Sequence, residues 1–303
     1  MNATKVLVLV GPTAVGKTAT SIRLAKELNG EIINGDALQV YRELTIGTAK
    51  ISEQEMEGVP HHLLSIKDPG ESFSVAEYQK LVREKIEDIT ARGKVPIVVG
   101  GTGLYIQAVL YDYRFEEAAP SDELRMQLEA REEGTLWEEL HLLDPEAANA
   151  IHPNNKQRVI RALERVLQTG KKQQEIEQQA GRLAVYDFHL IGLNRDRAEL
   201  YRRINERVDL MMEQGLLEEV KSILSHTSKE AQSLKAIGYK EVVEGLEFDW
   251  PRQQLIETIQ QNTRRYAKRQ LTYFRNKLPV IWYHPEEDGE KILEDCRNFL
   301  KGN

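Results

Sequence analysis

The clearest chemical signal in the sequence is a stretch near the N-terminus, Gly11-Pro12-Thr13-Ala14-Val15-Gly16-Lys17-Thr18. It matches the pattern G-x-x-x-x-G-K-[ST], and it lies between an apolar run at 6–10 and a helical pattern that begins near Ala19. In this context the N–H groups of the loop and of the helix N-terminus point at one bound anion. Lys17 adds a full positive charge, and the Thr18 hydroxyl is suited to bind Mg²⁺. The stretch predicts a di- or triphosphate site; a turn without function is the less favoured alternative.

A carboxylate follows the second predicted strand, which spans 31–36 and ends in Asp36. Ligands of open parallel sheets bind outside the carboxyl ends of the strands, so this position is favourable for function. A carboxylate there can hold Mg²⁺ through water or accept a proton. An aspartate that only forms a turn or caps a helix is the alternative, and position alone leaves these roles open.

The strand predicted at 95–99 is followed by Gly100-Gly101-Thr102-Gly103. Many phosphate-loop NTPases carry an acid for Mg²⁺ in this place. Here the glycines permit close backbone approach, and the Thr102 hydroxyl can face the phosphate site. The missing acid favours a group-transfer enzyme over a motor or switch driven by hydrolysis. From spacing alone, a plain tight turn into the next helix is equally consistent.

Histidines at 61, 62 and 152 raise the possibility of a metal site. No third ligand has suitable spacing near the His61-His62 pair, so a zinc-type site is weakly supported. We expect these histidines to be structural.

These residues require a scaffold of alternating strands and helices. Near-continuous apolar strands at 5–10, 31–36, 61–65 and 95–99, with helices at 18–28 and 74–92, predict a parallel sheet covered on both faces. Between 114 and 186 apolar strands vanish, and a strand pattern returns at 188–193. The fold class expected is therefore α/β, a P-loop-containing parallel sheet core covered by helices, with an all-helical insertion domain. The remaining predicted elements are helices at 121–133, 135–143, 155–169, 172–180, 196–213, 216–225, 251–277 and 289–300, and a strand at 280–283.

The expected domains are a P-loop catalytic core formed by 1–113 and 187–303, and a helical insertion domain formed by 114–186. The single cysteine, Cys296, excludes an internal disulfide, a cysteine-built zinc site and an iron–sulfur cluster. The sequence shows no signal peptide and no run of 18 apolar residues, which predicts a cytoplasmic protein without a membrane span.

The net charge of −7 argues against bulk attraction to nucleic acid, but the positive charges are clustered. Tyr266, Tyr273 and Phe274 are interleaved with the last of three clusters. A charged run is usually a solvated face, yet unopposed positive blocks in an acidic protein suit an RNA backbone with aromatics for stacking. The clusters are Lys156, Arg158, Arg161, Arg165, Lys171 and Lys172; Arg195, Arg197, Arg202, Arg203 and Arg207, which are diluted by Asp196, Glu199, Glu206 and Asp209; and Arg264, Arg265, Lys268, Arg269, Arg275 and Lys277.

Taken together, the sequence resembles the tRNA dimethylallyltransferase (tRNA isopentenyltransferase) family over nearly its whole length. Several blocks in order are far more specific than a phosphate loop alone. One departure is Ala37, where the family usually has serine; because Asp36 is retained, we expect a mild effect. The blocks are 11–18, Gly35-Asp36-Ala37-Leu38-Gln39-Val40-Tyr41, Ile46-Gly47-Thr48-Ala49-Lys50, Pro60-His61-His62-Leu63, Gly100-Gly101-Thr102-Gly103-Leu104-Tyr105, Asp144-Pro145, Gln157-Arg158-Val159-Ile160-Arg161-Ala162-Leu163-Glu164, Ile237-Gly238-Tyr239 and Lys268-Arg269-Gln270-Leu271-Thr272-Tyr273.

The resemblance implies transfer of the dimethylallyl group from dimethylallyl diphosphate to N6 of the adenosine 3′ adjacent to the anticodon, with release of diphosphate. It implies catalytic roles for Asp36 (the base), Thr102, Lys17 and Arg207, with Arg203 as a further candidate contact of the diphosphate. Residues 11–18 would bind the diphosphate, Thr18 would help to hold Mg²⁺ as the cofactor, and a monomer would bind the tRNA anticodon stem-loop. The implied tRNA-binding residues are Asp36, Ala37, Leu38, Gln39, Thr102, Arg125, Gln157, Arg158, Val159, Ile160, Arg161, Lys235, Ala236, Ile237, Gly238, Tyr239, Lys240, Lys268, Arg269, Gln270, Thr272 and Arg275.

Two other functions compete with this interpretation. A small-molecule or nucleoside kinase would use the same loop for ATP, but it should carry a short arginine-rich lid in place of the long basic insertion. A non-enzymatic RNA-binding module has no use for Asp36 and Thr102 beside a phosphate loop. Whether ATP binds as well stays open.

Overall fold

Six parallel strands form a single sheet in the order β3-β2-β4-β1-β5-β6 in this computed structural model, which describes residues 4–113, 122–170, 172 and 183–302. The strands are β1 Lys5–Val10, β2 Gly30–Asn34, β3 His61–His62, β4 Val95–Gly100, β5 Asp187–Leu193 and β6 Ile281–Tyr283. The α-helices are α1 Lys17–Glu27, α2 Val75–Ala91, α3 Gly103–Leu110, α4 Asp122–Glu129, α5 Glu133–Leu143, α6 Pro145–Ala150, α7 Lys156–Thr169, α8 Arg197–Glu213, α9 Leu216–Leu224, α10 Tyr239–Glu247, α11 Arg252–Lys277 and α12 Gly289–Lys301.

The central strand β1 is the most buried part of the sheet, and residues 6–10 are fully shielded from solvent. It pairs with β4 on one side and β5 on the other, with Val10 opposite Gly100 and Gly192. A strand buried on both faces must be apolar throughout, which explains the run Val-Leu-Val-Leu-Val. Because all six strands are parallel, the loops after β1, β2 and β4 leave the sheet at the same edge.

The chain divides into two compact units, 1–110 with 185–303 and 111–184. The first holds the sheet, and its core includes Leu7, Leu9 and Ile97. The second contains α4 to α7 around its own apolar cluster, which includes Leu136, Leu140 and Leu163. The α/β fold class with a helical insertion is confirmed.

The structure corrects several predicted element bounds. β2 ends at Asn34, so Gly35 and Asp36 lie in the loop that follows it. β3 spans only His61–His62, because the backbone of Leu63 turns to a φ of 62° and cannot continue a strand. The helix predicted at 121–133 ends at Glu129. The helix predicted at 172–180 lies, apart from residue 172, outside the described residues.

Three helical segments were not predicted. Asp144-Pro145 does not separate helices; Asp144 accepts a hydrogen bond from the Ala147 N–H at 3.1 Å, and Pro145 begins α6. α10 was missed although Tyr239, Val242, Val243 and Leu246 follow a helical apolar period, and a 3₁₀ helix at Gln232–Lys235 was missed as well. No helix in the described ranges has the length and apolar character that crossing a membrane requires.

Candidate active site at the carboxyl edge of the sheet

The loop between β1 and α1 is shaped for an anion. Gly16 precedes the first helical residue, Lys17, and takes a φ of 113°, which favours glycine. A side chain at Gly11 would place its Cβ 2.8 Å from the Leu193 carbonyl oxygen, so this position also requires glycine. The first turn of α1 carries no acid and no side chain caps it, so its N–H groups remain available for a ligand.

Lys17 turns back onto its own loop and donates hydrogen bonds to the carbonyl oxygens of Gly11 at 3.0 Å and Pro12 at 2.8 Å. Desolvation lowers the pKa of Lys17 to about 8; the Asp36 carboxylate opposes this shift, and the Arg207 guanidinium adds to it. The three charged groups therefore lie close enough to affect one another. A bound diphosphate would favour the charged form of Lys17.

Asp36 lies in the loop after β2 and is held by its neighbours. Its N–H donates to Asn34 Oδ1 at 3.0 Å, and its Oδ1 accepts from the Leu38 N–H at 2.9 Å. Asn34 is buried and donates in turn to the carbonyl oxygens of Asp36 and Leu63. Within the described ranges the Asp36 carboxylate makes no further hydrogen bond. Its Oδ2 is therefore available to accept a proton from a substrate.

Thr102 links the loop after β4 to the loop after β2. Its carbonyl oxygen accepts from the first turn of α3, and its hydroxyl oxygen accepts from the Ala37 N–H at 3.3 Å. The two loops approach closely, because a Cβ on Gly100 would lie 2.0 Å from the Gly35 carbonyl oxygen. The structure thus brings Asp36 and Thr102 together at one edge.

Two arginines on α8 reach the same region. Arg203 Nε donates to the Ala14 carbonyl oxygen at 3.0 Å, and an Arg207 terminal N–H donates to the Thr48 carbonyl oxygen at 3.4 Å. The Arg207 Nε is buried and lacks a hydrogen-bond partner among the described residues. Desolvation lowers the pKa of Arg207, with opposition from Asp36 and a further lowering by Arg203. An unpaired buried donor beside Lys17 suits an anionic ligand.

Gln270 on α11 connects two of these loops from within. Its Oε1 accepts from the Thr13 N–H at 3.0 Å, and its Nε2 donates to the Gly101 carbonyl oxygen at 2.9 Å. The side chain is only 6% exposed. Tyr266, one turn earlier, has its hydroxyl near Thr102 and Gln270, and desolvation raises the pKa of this hydroxyl to about 12. Gln270 was predicted as a tRNA contact; its amide is engaged inside the protein.

The segment 45–47 is held by a residue that the sequence interpretation missed. Glu219 on α9 accepts hydrogen bonds from the N–H groups of residues 45, 46 and 47, at 3.1, 2.7 and 3.1 Å, and from the Tyr239 hydroxyl at 2.6 Å. The Tyr239 ring is fully buried and packs against Gly47, where a Cβ would lie 2.5 Å from the ring. No local pattern could identify Glu219, because it lies more than 170 positions from its backbone partners.

The other predicted tRNA-binding residues divide by exposure. Val159 and Ile160 belong to the core of the second unit, and Arg125 pairs with Glu129 at 3.2 Å. Around α10, Lys235 pairs with Glu230 at 3.3 Å, and the Gly238 N–H donates to Glu241. The exposed members are Lys235 at the end of the 3₁₀ helix, Gln157, Arg158 and Arg161 on α7, and Lys268, Arg269, Thr272 and Arg275 on α11.

The remaining predicted members lie near the described loops. Leu38 and Gln39 are partly buried, and Gln39 donates to the Thr48 carbonyl oxygen at 3.2 Å. Ala236 and Ile237 connect the 3₁₀ helix to α10, where Lys240 lies 3.5 Å from Glu241. Arg195, from the second basic cluster, is buried and supports the phosphate loop by donating to the Val15 carbonyl oxygen at 2.8 Å.

The donors available for a metal are few. Thr18 is exposed, and within the described ranges its hydroxyl makes no hydrogen bond. No cluster of three His, Cys, Asp or Glu side chains suited to a metal ion occurs in the described part of the chain. Mg²⁺ commonly takes one or two protein ligands together with phosphate oxygens and waters, so Thr18 and a bound diphosphate fit this ion.

The histidine pair lies at β3 and contributes to a charge cluster. His62 Nε2 is 2.7 Å from Glu31 Oε2, and Glu31 is 2% exposed. Hydrogen bonds from Arg92 above all, and also from Lys94 and His62, hold the pKa of the Glu31 carboxyl well below its usual range. Glu31 stands near the start of β2, whereas Asp36 follows its end, so this cluster is separate from the loops described above.

Comparison with known proteins gives a consistent result. A family model described as IPP transferase matches residues 39–277. The tRNA dimethylallyltransferase of Bacillus subtilis (strain 168) is 56% identical over 310 residues, covering 100% of this chain and 99% of the relative.

Solved structures agree. The full-length tRNA isopentenylpyrophosphate transferase of Bacillus halodurans is 47% identical, with a TM-score of 0.74 and coverage of 99% of this chain and 96% of that one. A eukaryotic dimethylallyltransferase described as acting on tRNA is 30% identical, with a TM-score of 0.84 and coverage of 99% of this chain and 80% of that one. The resemblance found in the sequence is confirmed: the chain belongs to the IPP transferase family, and it is a transferase.

Proposed function

We propose that the protein transfers the dimethylallyl group of dimethylallyl diphosphate to N6 of the adenosine 3′ adjacent to the anticodon in tRNA, and releases diphosphate. The observation that carries the proposal is similarity along the whole chain to tRNA dimethylallyltransferases. The kinase alternative is not favoured, because the relatives named above are prenyl-group transferases.

The chemistry matches the groups around the phosphate loop. The allylic C–O bond breaks and leaves its electron pair on the diphosphate, while the N6 lone pair forms the new C–N bond. Negative charge therefore grows on the diphosphate, where fixed donors are most effective. Lys17, the loop N–H groups and the unpartnered Arg207 Nε are suited to this role, with Arg203 in support.

Mg²⁺ is the cofactor we propose, and when bound it would supply positive charge against the diphosphate oxygens. Thr18 would hold it together with the diphosphate, and Thr102 would bond a diphosphate oxygen.

Asp36 is the base in this proposal. The amine of adenine is a weak nucleophile because its lone pair is delocalised into the ring, so its proton must be accepted as the C–N bond forms. The hydrogen bond from the Leu38 N–H orients the carboxylate and leaves Oδ2 to receive the N6 proton.

Binding of tRNA requires the target base to leave its stack. We assign RNA contact to the exposed side chains of α7 and α11, and positioning roles to the buried Gln270 and Tyr239. In this view 1–113 with 187–303 is the catalytic core, and the insertion 114–186 contacts tRNA. The enzyme would act as a monomer in the cytoplasm, where its tRNA substrate is found.

The test offers unmodified tRNA together with either dimethylallyl diphosphate labelled in the isoprenoid or ATP labelled at the γ-phosphate. Label should pass from the isoprenoid to tRNA and not from ATP. The matched variant is Asp36→Asn, which keeps an acceptor for the Leu38 N–H but loses the base; turnover should fall about 10²–10⁴-fold, with tRNA binding retained. Transfer of γ-phosphate without isoprenoid transfer would overturn the proposal, and unchanged turnover of the variant would remove Asp36 as the base.

A further inference from the structure

A cavity opens beyond the carboxyl ends of β5 and β6. Its volume is about 680 Å³, within the range of small-molecule pockets. Neither the phosphate loop nor Asp36 or Thr102 lines it. The walls come from residues 194–196 and the start of α8, from α11, and from the end of β6 with His284, all within the first unit.

The charges in this cavity are unequally satisfied. The Arg195 guanidinium pairs with Glu199 and Glu286, so its charge is neutralised inside the protein. Asp196 contributes an acid to the walls, but its Oδ1 already accepts the N–H groups of the first turn of α8. His284 lies 3.6 Å from Glu286.

Three lining cations lack a carboxylate partner among the described residues, namely Arg197, Lys268 and Arg275. Two of them lie over aromatic rings at cation–π distance. The Arg275 guanidinium carbon lies 5.6 Å from the centroid of the Trp282 ring, and that of Arg197 lies 5.1 Å from the centroid of the Tyr201 ring. Each ring stabilises the nearby guanidinium charge, and the guanidinium plane is a surface on which a nucleobase can stack.

Lys268 and Arg275 are seven residues apart on α11, so they project from one side of the helix about 10 Å apart. One nucleotide has a planar base and a phosphate within reach of two such side chains. We propose that this cavity binds a single unstacked nucleotide, with the base stacked on Arg275 and the phosphate held by Lys268 and Arg197. The nucleotide belongs to the tRNA, if the proposed function holds, or is free in solution.

The test measures direct binding of two ligands, adenosine monophosphate and an unmodified anticodon stem-loop. Pyrophosphate and Mg²⁺ are present in excess so that the phosphate loop is occupied. Arg275→Ala should raise the Kd of at least one ligand about tenfold, because the nucleobase loses its stacking partner. Arg275→Lys keeps the charge but not the plane, and should weaken the same ligand to a similar degree. Arg297→Ala is the matched control, because it removes an exposed arginine of α12 that is paired with Glu27 at the end of α1.

The ligand whose affinity falls identifies the source of the bound nucleotide. A loss for the monophosphate supports a free nucleotide, and a loss for the stem-loop alone supports a nucleotide of tRNA. Equal affinities for wild type, both Arg275 variants and the control would overturn the proposal, as would full retention of binding by Arg275→Lys. The proposed function would fail in a different experiment, namely if the wild-type enzyme transferred no isoprenoid to tRNA. The binding measurements do not depend on turnover, so the two failures can be told apart.

Discussion

The charges of Lys17, Asp36 and Arg207 are mutually adjusted around a site for an anion. Two cations and one carboxylate leave a positive excess in a region of low solvation. Desolvation disfavours the protonated, charged form of Lys17 and Arg207. The negative charge of an incoming diphosphate would favour that form again. The free site thus keeps a positive excess that a bound diphosphate would neutralise.

We expect the affinity for dimethylallyl diphosphate to fall as the pH rises above 8, by up to tenfold per pH unit. The pKa of Lys17 is lowered to about 8 from an ordinary value of 10.5, so the free site loses this charge first. Between these values the unfolded chain holds the proton and the native chain does not, so the contribution of Lys17 to folding stability rises with pH over the same window. Calorimetric titration at pH 7–9.5 measures the affinity.

Lys17→Met is the control for this experiment, because it keeps the length of the side chain without the charge. Its affinity should be weaker and nearly independent of pH in that range. An equally steep loss in the variant would assign the titration to another group.

Among individual residues of the site, those that belong to a local sequence pattern could be predicted. Lys17 and Thr18 follow from the loop motif, and Asp36 and Thr102 follow from their places after apolar strands. Glu219 could not be predicted, and Gln270 was expected to face tRNA, because their hydrogen bonds join positions far apart in the chain. Such contacts depend on how helices pack on the sheet, which short patterns do not encode.

Among the elements, α9 and α11 have a common role, since each orders a loop through one polar side chain. Gln270 on α11 joins the loops after β1 and β4, and Glu219 on α9 gathers the N–H groups of residues 45–47. Charge-assisted hydrogen bonds to backbone N–H groups are strong when partly shielded from water. The loops therefore keep their shape without regular secondary structure.

We expect Glu219→Ala to lower the free energy of unfolding by about 2–3 kcal/mol, since the backbone donors of 45–47 and the Tyr239 hydroxyl lose a charged acceptor. Urea unfolding followed by circular dichroism measures this. Glu218→Ala is the matched control, because Glu218 is the exposed neighbour on the same helix and should change stability by less than about 0.5 kcal/mol. Equal losses in the two variants would show that helix propensity, not the loop, is responsible.

Elements were predictable where hydrophobic periodicity was strong, as in β1, β4 and α2. The predictions failed where turn chemistry decided the outcome. The strand at His61–His62 stops because Leu63 adopts a positive φ, and α6 forms because Asp144 caps a helix that Pro145 begins. Both outcomes depend on single residues that also suit a loop, so the pattern alone allowed either.

For the whole molecule, a net charge of −7 coexists with basic surfaces on particular helices. Six basic side chains on α11, from Arg264 to Lys277, form no ion pair with a carboxylate within the described ranges. Many other basic side chains of the protein are paired, for example Lys85 with Asp88 and Lys229 with Glu247. The acidic remainder repels nucleic acid, so any affinity for RNA must come from these local surfaces.

We expect the affinity for the anticodon stem-loop to fall with salt, with a log–log slope of about −0.7 for each phosphate contacted, because each contact releases a counterion. The double variant Arg265→Ala, Arg269→Ala removes two unpaired cations of α11 and should reduce the slope by about 1.4. Filter binding between 50 and 300 mM salt, roughly the range in which such contacts are screened, gives the slopes. Lys85→Ala, Lys229→Ala removes two cations that are already paired, and its slope should match that of the wild type. A slope near zero for the wild type, or equal reductions in both double variants, would show that the α11 surface does not contact the RNA backbone.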